Sequence, residues 1–164
     1  AYLRDVIRPA VAEGAAAAGR SLADIEFAIN PFFATGSDSR ELAGSVELIR
    51  KHISFYAATA SYAAVMRHHG WDDVGERLVA LSREGRWEQM PALVSDAMLD
   101  TFAIVGLLNE LPAKLAARYG GLVDAVNVVF GPPYAALQPR QRDLFVRLGP
   151  VLPALQLIPA AGGR

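Results

Sequence analysis

The chain has no cysteine, and that gap removes disulfides, thiolate nucleophiles and cysteine-ligated metals from consideration. Any redox chemistry must therefore come from a bound cofactor. Histidine is scarce as well, limited to His52, His68 and His69. No His-x-x-x-His spacing occurs, and adjacent helical residues point about 100° apart, so His68 and His69 are badly placed to share one ion. No metal site is expected. An excess of either charge is also missing: sixteen basic and seventeen acidic residues leave a net charge of −1. They are scattered rather than gathered in a stripe, so no nucleic-acid surface is expected.

Long hydrophobic runs are absent too. None reaches the roughly 18 residues that a spanning helix needs, and Ala1-Tyr2-Leu3-Arg4-Asp5 has no charged segment followed by an apolar core. A cytoplasmic protein with no membrane partner is the expectation. The chain lacks a Gly-x-Gly-x-x-Gly loop, a Walker-type loop and a Gly-x-Ser-x-Gly elbow. Gly120-Gly121 closes a helix rather than opening one, so it makes no phosphate cradle.

What is present is core material. With 52% hydrophobic residues over 164 positions, the chain is expected to form a single globular domain over residues 1–164. Leu3, Val6, Ile7, Ala10 and Val11 have helical spacing, with Pro9 as an objection and Gly19 as the stop. Ile25 to Gly36 then turns continuously apolar, as a buried parallel strand does, with a bulge or strand end expected at Pro31. Ser37 or Asp38 should cap a helix from Arg40 to Ala57, with Leu42, Val46, Ile49, Ile53 and Tyr56 on one face. A helical insertion over residues 61–98 is read as three helices, Ser61 to His69, Asp73 to Glu84 and Trp87 to Met98. Thr101 to Val105 reads as a second strand, Asn109 to Tyr119 as a helix, and Leu122 to Phe130 as a third strand. Residues 131–164 are expected to form a C-terminal helix, roughly Pro139 to Leu148, and a proline-rich tail. Strands alternating with helices indicate an α/β fold with parallel strands.

Four segments carry a more specific signal through their order: Met66-Arg67-His68-His69-Gly70-Trp71-Asp72-Asp73, Leu81-Ser82-Arg83-Glu84-Gly85-Arg86-Trp87-Glu88-Gln89-Met90, Asp100-Thr101-Phe102-Ala103-Ile104-Val105-Gly106, and Arg118-Tyr119-Gly120-Gly121-Leu122-Val123-Asp124. Together they resemble the back half of a luciferase-like (β/α)8-barrel oxidoreductase, nearest to the branch that uses the deazaflavin coenzyme F420. The resemblance implies a partial TIM barrel, its C-terminal half, with about three parallel strands. A complete barrel of this class needs at least about 200 residues, and the chain opens on a helical pattern. The resemblance further implies that the first five strands are missing from its beginning. Hydride transfer through F420, or alternatively FMN, is what the resemblance implies, with a small-molecule substrate and with weak or no cofactor binding by this chain alone. Its partner would be the missing N-terminal half or a second copy of the chain. The competing reading is a non-catalytic α/β module that binds a partner or a small molecule, including a half-barrel homodimer.

Barrel enzymes of this kind hold their sites at the C-terminal ends of the strands. Phe33, Thr35, Gly36, Val105, Gly106 and Phe130 are the candidates there, residues that can wall a flat ring but not move protons. The family resemblance further implies that the 61–98 insertion is a lid, with Trp71 and Trp87 facing substrate. No catalytic residue is assigned. Arg67, Arg83 and Arg86 stand near Asp72, Asp73, Glu76, Glu84 and Glu88 and are read as ordinary surface ion pairs. Asn30 and Asn127 are read as satisfied core amides. After the second strand the family commonly reads Gly-Thr-Pro-Asp/Glu-Glu, whereas this chain has Gly106-Leu107-Leu108-Asn109-Glu110, with Asn109 as a substitute cap.

Overall fold

The computed structural model describes residues 1–127 and, beyond them, Val146 alone. In chain order its elements are α1 (Arg8–Ala17), β1 (Ala28–Ile29), β2 (Phe32–Gly36), α2 (Ser39–Ala57), α3 (Ala63–His68), α4 (Asp72–Arg83), α5 (Asp96–Phe102), β3 (Ala103–Leu107), α6 (Leu111–Tyr119) and β4 (Ala125–Val126). The chain divides into two compact units, Phe32–Leu108 and the segments on either side of it.

In the flanking unit, a π-type turn at Leu3–Ile7 runs into α1. Pro9 explains that turn: it has no N–H for the carbonyl four residues back and its ring crowds that carbonyl. The Arg8 N–H instead donates to the Leu3 carbonyl, five residues back. Gly19, at φ 68°, ends the helix, its N–H donating to Ala16 and the Arg20 N–H to Ala15, as a left-handed glycine allows. β1 pairs in parallel with β4, Ala28 opposite Ala125 and Ile29 opposite Val126. Asp124 clasps this ladder at its start: its carboxylate accepts the Phe27 N–H at 2.8 Å, and its own N–H donates to the Phe27 carbonyl at 2.9 Å. Arg8 adds a hydrogen bond to the Leu122 carbonyl and stacks 4.5 Å over the Phe27 ring.

In the other unit, β2 and β3 pair in parallel from Phe32–Ala103 to Gly36–Leu107. Asp38 caps α2, its carboxylate accepting the Glu41 N–H at 2.8 Å. The α2 stripe buries Ile49, Ile53, Ser54 and Ala57, packed with Ala34, Ala103, Leu78, Val94, Leu99 and all three methionines, Met66, Met90 and Met98. Arg50 is drawn down onto the Val94 carbonyl and the Asp96 carboxylate, fastening α2 to the segment that enters α5.

Several expectations are corrected here. The segment from Ile25 to Gly36 is two strands rather than one, interrupted at Asn30-Pro31, and its halves enter different ladders. The described residues thus hold two parallel two-stranded ladders rather than one sheet of three. The helix expected from Trp87 to Met98 is a 3₁₀ segment, Trp87–Leu93, followed by α5. Pro91 denies the first helix a donor, and the Ser95 hydroxyl restarts helix by accepting the Met98 N–H. Thr101 and Phe102 belong to α5 rather than to a strand. Asn109 does not cap α6: it sits in a 3₁₀ turn, Leu108–Glu110, ahead of a helix without a side-chain cap bond. Tyr56 is 40% exposed, outside the buried stripe of α2. Phe130, the end of the third expected strand and the 131–164 helix and tail lie outside the described residues.

Candidate functional site

Strand alternation sorts the β2–β3 ladder into two faces. Phe32, Ala34, Ala103 and Val105 pack into the helical core, so Phe33, Thr35, Ile104 and Gly106 share the opposite face. In register, Phe33 stands beside Ile104 and Thr35 beside Gly106. All four are buried. A strand pair buried on both faces, with helices on one of them, is what a barrel wall requires, and the face turned from the helices is the interior one.

The chemistry of this face is sparse. It is apolar apart from the Thr35 hydroxyl, whose Oγ1 is the one buried side-chain oxygen or nitrogen without a hydrogen-bond partner among the described residues. The Thr35 N–H is satisfied, donating to the Ser45 hydroxyl of α2 at 3.0 Å. Such a wall fits the flat ring of a flavin or deazaflavin, which takes apolar contact on its faces and hydrogen bonds at its edge. It offers no cation for the cofactor's phosphate. No group of His, Asp and Glu among the described residues could hold a metal ion.

The other candidates fall elsewhere. Gly36 packs on the first turn of α2: a Cβ there would lie 2.5 Å from the Glu41 Cβ and the Leu42 nitrogen. Val105 faces the helices, and Ile104, which the sequence reading passed over, takes the interior position. The sequence signal for it was the two-residue period of a strand, which puts Ile104 on the same face as Gly106. Asn30 and Asn127 are exposed, so neither is a core amide.

Trp71 and Trp87 require a larger correction. β2 ends where α2 begins, and α2 returns antiparallel to the strands, bringing His52 and Tyr56 to 6.1 and 5.7 Å from the Phe32 ring at the start of β2. The segment that follows α2 is therefore delivered to the N-terminal end of the ladder. Trp71 stacks on His69 at 5.0 Å and meets Phe102, the residue before β3, at 5.5 Å. Trp87 meets Phe55 near the end of α2 at 6.2 Å. The insertion thus packs at the end opposite the C-terminal mouth, and the lid reading falls with that placement.

Arg86 pairs with Glu84 at 2.8 Å and with Gln89. Arg67 and Arg83 line an open cavity of about 320 Å³ beside Asp72 and Glu76, where the mixed charge suits neither phosphate nor a cation. Arg4 is held further above its already high value by its hydrogen bond to Asp5, on the open surface.

Comparison with known proteins agrees with this geometry. The coenzyme F420 dependent tetrahydromethanopterin reductase from Methanopyrus kandleri superposes with a TM-score of 0.67 at 24% identity, over 90% of this chain and 41% of that one, which establishes the fold as part of a TIM barrel. The uncharacterized proteins Rv1360 of Mycobacterium tuberculosis and Mb1395 of Mycobacterium bovis are each 40% identical over 129 residues, covering 79% of this chain. The chain spans 38% of the length of these relatives. Residues 3–125 match the family described as luciferase-like monooxygenase. On that match, which takes in the β2–β3 ladder and all six helices, the chain belongs to the luciferase-like monooxygenase family.

Proposed function

We propose that this chain forms the C-terminal part of a luciferase-like oxidoreductase that transfers a hydride through coenzyme F420 or, alternatively, FMN, to or from a small organic substrate. The observation that carries the reading is the interior face of the β2–β3 ladder, a buried wall with Phe33 and Ile104 near the strand starts and the Thr35 hydroxyl and Gly106 one residue from the C-terminal strand ends, where barrels of this class do their chemistry. The F420-dependent reductase that shares the fold supports the deazaflavin over FMN.

The cofactor, when bound, supplies the ring carbon that gives or accepts the hydride. Thr35 and Gly106, nearest the C-terminal end, would lie closest to the ring, Gly106 leaving room for close approach, while Phe33 and Ile104 one layer deeper would close the floor of the site to water. None of the wall residues titrates near neutrality, so proton transfer and the phosphate grip belong to other strands of the full barrel. The partner is accordingly the N-terminal half of the barrel, and the place of action the cytoplasm. The test is fluorescence titration of the full-length protein with F420 and with FMN. Saturable binding near one cofactor per barrel is expected. Binding of neither overturns the reading in favour of a non-catalytic module.

A further inference from the structure

The Thr35 hydroxyl is the part of the interior face that packing does not account for. The residue is 2% exposed and its Oγ1 has no partner among the described residues. Buried polar groups are nearly always hydrogen-bonded, because leaving one dry forfeits its hydration with nothing in return. Valine has the same shape and would fill the position without that penalty. Strand pairing does not demand a hydroxyl either, since the backbone N–H is already taken up by Ser45. The residue beside it in register is Gly106, so no side chain crowds the oxygen from the neighbouring strand. The hydroxyl stands one residue from the C-terminal end of β2, in an otherwise apolar wall.

We infer that the Thr35 hydroxyl is a cofactor-binding group that hydrogen-bonds the polar edge of a flavin or deazaflavin ring. This rests on the proposed function above. The edge of such a ring presents carbonyl oxygens and ring nitrogens, and a hydroxyl can donate to the first or accept from an N–H. A phosphate is the wrong occupant, because a neutral hydroxyl among Phe33, Ile104 and Gly106 offers no charge to balance it.

The experiment uses the full-length protein as wild type, Thr35→Val and Thr35→Ser, each titrated with F420 and with FMN and each denatured in urea without cofactor. Thr35→Val should be at least as stable as wild type without cofactor, while its Kd rises about tenfold, as for loss of one buried hydrogen bond. Thr35→Ser should bind near wild type. Equal binding by Thr35→Val and wild type overturns the inference while leaving the functional reading in place. A clear loss of cofactor-free stability in Thr35→Val also overturns it, because the hydroxyl would then be a structural partner. If wild type binds neither cofactor, the functional reading fails and the inference with it.

Discussion

Gly36 shows how one position can be fixed by space rather than by backbone conformation. It ends β2 at the point where the chain turns into α2, and a Cβ would meet the Glu41 Cβ and the Leu42 nitrogen at 2.5 Å. One of the two is backbone in the first turn of a capped helix, so it cannot swing aside. Gly36→Ala should therefore destabilise the full-length protein by about 1–3 kcal/mol, the usual cost of overpacking a close contact. Urea denaturation midpoints measure this, and an unchanged midpoint would show that the β2–α2 turn yields. Thr35, its neighbour, behaves oppositely, since there a side-chain atom is in excess of what packing needs. The two residues had equal standing as strand-end candidates in the sequence. Only register and face separate a glycine required by α2 from a hydroxyl directed to the interior.

At the scale of elements, α2 governs where its neighbours go. Its N-terminus is set by Asp38, whose carboxylate takes the Glu41 N–H, while the Glu41 carboxylate accepts the Ser37 N–H at 3.0 Å. Asp38→Ala should cost about 1 kcal/mol and Asp38→Ser much less, as for other N-cap replacements. Thermal or urea unfolding of both variants checks it, and equal losses in the two would show that the cap does not hold this end. The cap and the span of α2 were legible because Asp38-Ser39-Arg40-Glu41 and the spacing of Ile49 and Ile53 are local signals. The first strand was less legible: an apolar run such as Ile25 to Gly36 carries no mark of which half pairs with which partner. Pro31 signalled the break but not the change of ladder. The replacement of a helix at Trp87–Leu93 by 3₁₀ structure was written in Pro91, which breaks the helical bond pattern, and in Ser95, which starts the next helix.

For the molecule as a whole, the decisive relation is between a 19-residue helix and a five-residue strand. At about 1.5 Å per residue α2 is roughly 28 Å long, whereas β2 at about 3.3 Å per residue covers about 17 Å. A chain that returns along so long a helix must emerge beyond the strands' N-terminal end, and the insertion of α3, α4 and the 3₁₀ segment builds there. This much could have been argued from element order alone. The lid reading came from the family resemblance instead, and resemblance does not say at which end of a strand an insertion lies. The consequence is a separation of stability from chemistry. Trp71 is partly buried between His69 and Phe102, next to the core that contains the three methionines. Trp71→Ala in the full-length protein should cost about 2–3 kcal/mol, somewhat below a fully buried aromatic truncation. Cofactor Kd should stay within about twofold of wild type, since well-separated sites act independently. Parallel denaturation and F420 titration decide it. A stable Trp71→Ala variant with a large loss of cofactor or substrate affinity would return the insertion to the mouth of the barrel, whereas a destabilised variant with intact binding assigns it to the closed end.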